Sequence, residues 1–231
     1  MNILVLSDMH GDTAYIEQLA EQFARADIVL FGGDFAKFEH AETGKPALET
    51  LLKKHEYVYS VIGNCDEPDF LDTIEAEDCS VQGSLVFHDG IVLAGSGGGS
   101  KFTGTTPYER SEEELVSDLD IVLNSAAEGA DENGHWSNLV LIMHNPPKDT
   151  KCDTIEGGIH VGSQALRDFI VKTEPFLVVT GHIHESAGID KIGNTTVINP
   201  GALAEGKYGW VTAESKDGVW TVTGAELKSL V

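Results

Sequence analysis

Ile28-Val29-Leu30-Phe31-Gly32-Gly33-Asp34 joins a continuous apolar run to a glycine pair and one carboxylate. An unbroken apolar run is what a strand covered on both faces requires. The two glycines let the backbone turn sharply or approach a ligand closely. Asp34 is thereby delivered to the carboxyl edge of a strand, where open α/β sheets bind their ligands.

Four other segments end in the same way. Asn2–Leu6 runs into Ser7-Asp8-Met9-His10-Gly11, and residues 58–62 run into Gly63-Asn64-Cys65-Asp66. Leu139–Met143 ends in His144-Asn145-Pro146-Pro147, and residues 176–180 end in Gly181-His182-Ile183-His184. Asp8 and His10 occupy alternate positions, as do His182 and His184, so on an extended backbone each pair can face one point. Five strand ends thus carry Asp/His, Asp, Asn, His and His/His, an inventory of hard and borderline metal ligands.

Between the first two strands, Asp12 is a candidate N-cap, and Ile16, Leu19, Ala20 and Phe23 recur at helical spacing up to about Arg25. Strand, helix, strand makes a parallel unit with a right-handed crossover. Pro46, at a first helical position, and Leu48, Leu51 and Leu52 repeat the pattern before the strand at 57–62. From Ser80 the texture changes to short β-like runs, 81–87 and 90–94, which read as a hairpin opening a second sheet. Gly95-Ser96-Gly97-Gly98-Gly99-Ser100 lacks the lysine and hydroxyl of a P-loop and reads as a flexible loop. The threonine-rich stretch 102–108, with Pro107, is expected to cross the surface beside the site.

Ser111 and Glu114 form a capping box that opens a helix through Leu115, Leu119 and Val122 to about Ala127. Residues 148–160 form a long irregular connection of a length that usually serves as a lid or a wall. Ser163 is expected to cap a helix burying Leu166, Phe169, Ile170 and Val171, with Pro175 ending it. Runs at 195–198, 208–213 and 219–223 read as closing hairpins of the second sheet.

The 231 residues, with no repeat and no Pro- or Ser-rich linker, fit one α/β domain over 1–231. A formal net charge of -23 opposes an electrostatic grip on phosphates, so an extended nucleic-acid partner is not expected. Residues 2–6 are too short and lack the basic prefix of a signal peptide, and no run reaches membrane-spanning length, so no membrane partner is expected. The three cysteines form no C-x-x-C pair and are odd in number, which suits reduced thiols in a cytoplasm. A homodimer through an edge strand stays open.

The ligand inventory suits two ions sharing one bridging carboxylate. Asp34 is the natural bridge; Asp8, His10 and His184 would complete one ion, and Asn64, His144 and His182 the other. Two ions roughly 3.5–4 Å apart can clamp both oxygens of an in-line phosphoryl displacement and bring a bridging water's pKa to about 7. Mixed nitrogen and oxygen donors fit manganese first, with iron, zinc, nickel or cobalt also suitable, rather than calcium.

Asp8-x-His10, Gly32-Gly33-Asp34, Gly63-Asn64-x-Asp66, His144 and Gly181-His182-x-His184, in this order, resemble the five motifs of calcineurin-like metallophosphoesterases across almost the whole chain. Gly158-Ile159-His160-Val161-Gly162-Ser163, Gly181-His182-Ile183-His184-Glu185-Ser186 and Asn199-Pro200-Gly201 look most like the small Icc-related members. The resemblance implies a four-layer α-β-β-α sandwich of two mixed sheets flanked by helices, and the same two-metal ligand set. It also implies a phosphoester hydrolase acting on a small-molecule phosphoester.

One position departs from the pattern. Many members carry His where this chain has Cys65; that His is taken to protonate the leaving group, with the following acid, here Asp66, orienting it. A thiol with a reference pKa of about 8.5 matches neutral pH less well than imidazole. Members with Cys here look more like phosphodiesterases, which favours small diesters, cyclic nucleotides among them. His160 is then the candidate acid for the leaving group, beside Asp34, Asn64 and Asp66 in the catalytic set. A phosphomonoesterase, a protein phosphatase, a nuclease and a non-catalytic metal-binding scaffold are the competing readings. His40, His55, His88 and His135 have no ligand partner at useful spacing and are read as surface residues; Trp136, Trp210 and Trp220 are read as packing residues.

Overall fold

A computed structural model describes all 231 residues. In chain order, β1 (Asn2–Leu6), α1 (Ala20–Arg25), β2 (Ile28–Phe31), α2 (Gly44–Leu52), β3 (Val58–Ser60) and α3 (Phe70–Ala76) make the first half. β4 (Val86–His88) and β5 (Ile91–Ser96) follow, then the short β6 (Gly99–Ser100) and β7 (Glu109–Arg110), and then α4 (Glu112–Ser117), α5 (Asp120–Asn124) and α6 (Ala126–Gly129). β8 (Leu139–Met143), a two-residue pair β9 (Thr154–Ile155) and β10 (Ile159–His160), α7 (Gln164–Thr173) and β11 (Leu177–Thr180) come next. β12 (Gly188–Ile192), β13 (Thr195–Asn199), β14 (Lys207–Lys216) and β15 (Val219–Ser229) close the chain.

Two mixed sheets carry the fold. The first has the order β15-β14-β1-β2-β3, with β1, β2 and β3 parallel and the β14-β15 hairpin joined to β1 through the antiparallel β14. The second has the order β12-β13-β11-β8-β5-β4, with a parallel centre and one antiparallel strand at each edge. Alternation along each strand decides the layers. Ile3, Val5, Ile28 and Leu30 of the first sheet share one core with Leu93, Val140, Ile142 and Val179 of the second. Leu4, Leu6, Val29 and Phe31 point the other way, onto Ile16, Leu19, Phe23, Leu48, Leu51 and Ile74. Val92, Leu139, Leu141 and Val178 likewise meet Leu115, Leu119, Leu166, Phe169 and Ile170. The result is the expected four-layer sandwich, helices outside and the two sheets face to face. No helix is long and apolar enough to cross a membrane.

Several local expectations need correction. The last hairpin joins the first sheet rather than the second, because β14 pairs with β1 from Asn2 to Val5. The expected flexible loop at 95–100 is packed: residues 95–99 are buried, and Ser96 and Gly99 belong to strands. The hairpin strand begins at Val86 rather than 81. Asp12 caps a turn, accepting from Ala14 N–H, and no side chain caps α1. α2 starts at Gly44, which puts Pro46 within its first turn. The capping box at Ser111 and Glu114 is present, yet the helix it opens breaks into α4, α5 and α6. Ser163 does cap α7, accepting from Leu166 N–H, but Val171 is 56% exposed and Thr173 takes its place in the core. His88 is not a surface residue: its side chain is only 10% exposed and its ring meets the Tyr59 hydroxyl at 3.0 Å. Trp136 is fully packed, while Trp210 and Trp220 are half-buried against sheet neighbours. The sequence pattern announces neither α3 nor β12.

Candidate metal centre

The parallel strands deliver the predicted ligands to one edge. β1 ends before Asp8 and His10, β2 before Asp34, β3 before Asn64, β8 before His144, and β11 before His182 and His184. Asp8, His10, Asp34 and His182 all have positive φ, between 48° and 68°. Asp and His are among the few side chains that tolerate this region, and its concentration here turns consecutive ligands inward at a cost of order 1–3 kcal/mol each. The glycines make room: a Cβ on Gly63 would strike the Asp34 carboxylate, and one on Gly181 would strike Ser7 and Asp8.

The polar atoms converge. His10 Nε2 lies 3.1 Å from His184 Nε2, which lies 3.2 Å from Asp8 Oδ1. His144 Nε2 is 2.9 Å from Asn64 Oδ1. Asp34 Oδ2 faces both groups, 3.8 Å from His10 Nε2 and 3.5 Å from His144 Nε2. Its other oxygen accepts the Cys65 backbone N–H at 2.8 Å. Asp8-His10-His184, Asp8-Asp34-His144 and His10-Asp34-Cys65 are each close enough to hold one ion.

These residues fit divalent metal. Two donors on one ion with bonds of about 2.1 Å stand about 3.0 Å apart at a right angle and about 3.4 Å apart at the tetrahedral angle. The His10-His184, His184-Asp8 and His144-Asn64 separations fall in or beside that range. The His144 Nδ1–H donates to the Gly32 carbonyl at 2.7 Å, so its Nε2 lone pair is left facing the Asn64 oxygen. Two acceptors so placed, with two buried carboxylates alongside, suit a cation between them. His182 is less closely gathered: its ring lies 5.2 Å from that of His144, centre to centre, and belongs to none of the three groups.

Electrostatics agree with a site built for positive charge. Burial and the neighbouring Asp8 push Asp34 up to about 6. Burial also opposes ionisation of Asp8, but the His184 hydrogen bond and nearby imidazoles outweigh it and hold this carboxyl below its usual range. Burial lowers His144, and lowers His182 to about 3, so both present neutral nitrogen to a ligand.

Asp66 and His160 stand apart from the converging atoms. The Asp66 carboxylate is buried and accepts four backbone N–H groups, from Gly63, Asp34, Phe35 and Ala36. It fixes the two ligand loops against each other, a role its position after Cys65 does not reveal. His160 lies on β10 with its side chain 37% exposed and Nδ1 2.8 Å from Asp153. The cleft beside the ligands is lined by its neighbours Ile155 and Val161, not by His160. Cys65 Sγ is near His10 and Asp34, and burial followed by the Asp34 charge pushes its thiol well above the ordinary range.

Sequence reasoning missed three supports. Asn199 Nδ2 donates to the Ile183 carbonyl at 2.9 Å and so braces the His182–His184 turn. Asn145 accepts the Ser100 N–H at 2.9 Å. Glu109 gathers the N–H groups of Phe102, Gly104, Thr105 and Thr106. Only the Asn199-Pro200-Gly201 turn carried a signal in the sequence.

Comparison with known proteins agrees. An uncharacterized protein of Methanocaldococcus jannaschii is 32% identical over 206 residues, covering 87% of this chain and 88% of that protein. A Thermus thermophilus crystal structure superposes with a TM-score of 0.70 at 18% identity, covering 99% of this chain and 98% of the other. The calcineurin-like phosphoesterase YfkN of Bacillus subtilis gives 0.58 at 17% identity, covering 99% and 90%. At these identities the two structures speak for the fold alone. The model of the calcineurin-like phosphoesterase superfamily domain matches residues 1–216, and the chain belongs to that superfamily of metal-dependent phosphoester hydrolases.

Proposed function

We propose that the protein is a two-metal phosphodiesterase acting on small diesters. The observation that carries this reading is Asp34 Oδ2 facing His10 on one side and His144 on the other, within 3.8 Å of each. Asp8, His10 and His184 would hold one ion, Asn64, His144 and His182 the other, and Asp34 would bridge them. Manganese is the first choice among the divalent transition metals that fit such donors. When bound, such a pair supplies Lewis acidity and a water acidic enough to attack phosphorus near neutral pH. The chain's own part is to fix the ligands. Asp66 ties the Asp34 loop to the Asn64 loop, Gly32 orients His144, and Asn199 holds the turn between the last two histidines.

The preference for diesters rests on Cys65. A thiol, with a reference pKa of about 8.5, matches neutral pH less well than imidazole and is a poor proton donor to a leaving group. Diesters with good leaving groups need that proton least. We place the protein in a reducing compartment, the cytoplasm, since Cys65, Cys79 and Cys152 are all unpaired.

Initial rates on bis-p-nitrophenyl phosphate and p-nitrophenyl phosphate, with metal-stripped protein refilled one metal at a time and Asp34→Asn as control, test the reading. Diester turnover that needs metal and disappears in Asp34→Asn supports it. A faster monoester rate overturns the diester preference. Two bound ions and no turnover point to a metal-binding scaffold.

A further inference from the structure

Beside the metal centre lies a cleft of about 270 Å³, lined in part by Asn64 and His182 from the site and by Phe102, Ile155, Val161 and Ile183. Phe102 is 91% exposed, an aromatic ring at the rim of a cleft with nothing in the fold to cover it. A lone exposed ring is ordinary on a protein surface, but this one lines a cleft that opens onto the candidate metal ligands Asn64 and His182, where a bound group would meet its face. The loop that carries it is nonetheless tied down. The Glu109 carboxylate accepts N–H groups on both sides of Thr103, from Phe102 before it and from Gly104, Thr105 and Thr106 after it, so the ring is presented from a fixed backbone.

Two further features limit what the cleft can hold. Its volume is just under the range of about 300–1,000 Å³ typical of small-molecule sites, room for one ring system rather than a polymer. Ser100 also lines it, its backbone N–H fixed by Asn145, and Thr103 and Thr106 stand beside the apolar side chains. Apolar walls with polar residues at their margin suit a flat ring with one polar edge.

We infer that this cleft seats a flat aromatic group carried by the phosphoester, stacked on Phe102, with its phosphate at Asn64 and His182. The inference rests on the proposed function, since it needs phosphate at the metal centre. Phe102 is then a specificity-determining residue, and Glu109 a positioning residue that acts through it.

Calorimetric titration of the manganese-loaded protein with inorganic phosphate, methyl phosphate, phenyl phosphate and adenosine monophosphate tests it. Phenyl phosphate and adenosine monophosphate are expected to bind about tenfold tighter than methyl phosphate, a factor worth about 1.4 kcal/mol and within the range of one ring stacked on an aromatic side chain. Phe102→Ala should erase that gain and leave inorganic phosphate binding unchanged; Phe102→Trp should keep it. Because the side chain is exposed, neither variant threatens folding. Adenosine monophosphate binding tighter than phenyl phosphate assigns the cleft to a nucleobase, and equal binding assigns it to any aryl group. Equal binding of methyl and aryl phosphates, or a gain that survives Phe102→Ala, overturns the inference while leaving the metal centre intact. Failure of inorganic phosphate to bind overturns the proposed site, and the cleft assignment with it.

Discussion

Asp66 Oδ2 accepts the backbone N–H of Asp34 at 3.0 Å and that of Gly63 at 2.8 Å, so one buried carboxylate holds the loop after β2 to the loop after β3. Asp66→Asn keeps the shape but turns part of this acceptor into a donor facing N–H groups. A buried donor left unpaired costs about 1–3 kcal/mol. Loss of a group that orients a metal ligand typically lowers affinity about 10–100-fold. Urea denaturation and manganese titration should therefore both move. Wild-type manganese affinity in a folded Asp66→Asn protein would refute the positioning role.

Glu109 is held well down, to about 2, chiefly by the Phe102 N–H and then by the other backbone donors of its loop. It is ionised across the neutral range and keeps the 102–106 turn closed. Glu109→Ala removes the acceptor of four N–H groups at the surface, where water can replace it, so the global unfolding midpoint should change little. Amide hydrogen exchange at Phe102, Gly104, Thr105 and Thr106 should accelerate. Unchanged protection at these four amides would show that the loop is held by something else.

The ligands were legible because strand ends put polar residues directly after apolar runs, as Phe31-Gly32-Gly33-Asp34 and Thr180-Gly181-His182 do. The layers were legible for the same reason. What the sequence hid were choices made by distant partners. Nothing local to residues 207–216 says that they pair with β1 rather than with the second sheet. The glycines at 95–99 read as a loop, yet they are glycines because backbone and side chains crowd them: a Cβ on Gly97 would strike Gln82. Glu109 and Asn199 act on backbone groups of other segments, and such contacts leave no periodic trace.

Cys65 offers a direct test of proton supply. Cys65→His would place an imidazole beside His10 and Asp34, where its reference pKa of about 6.5 suits a general acid near neutral pH. The variant should gain on diesters with poor, alkyl leaving groups relative to bis-p-nitrophenyl phosphate, whose p-nitrophenolate leaves without a proton, with a new alkaline limb in its pH profile as the imidazole loses its proton. An unchanged ratio and profile would mean that leaving-group protonation is not what Cys65 withholds.

The Asp153–His160 pair makes a pH prediction that also settles what His160 does. The Asp153 hydrogen bond raises His160 above 6.5. Burial works against Asp153, but the His160 hydrogen bond and the N–H groups of Thr150 and Gly162 outweigh it and hold it below 3.8. A raised histidine stabilises the fold fully below its unfolded value and loses that contribution as pH rises through its folded value; a depressed carboxylate contributes above its unfolded value and loses it as pH falls through its folded value. The pair is therefore at full strength between 3.8 and 6.5 and fades on either side. The difference in urea midpoint between wild type and His160→Ala should trace this plateau, and Asp153→Asn should flatten it. The pair ties residues 149–162 together, and Ile155 and Val161 of that stretch line the cleft. If His160 only holds the wall, His160→Ala raises KM for aryl diesters and leaves unchanged the ratio of kcat between poor and good leaving groups. A selective fall in kcat for poor leaving groups would instead make His160 the proton donor.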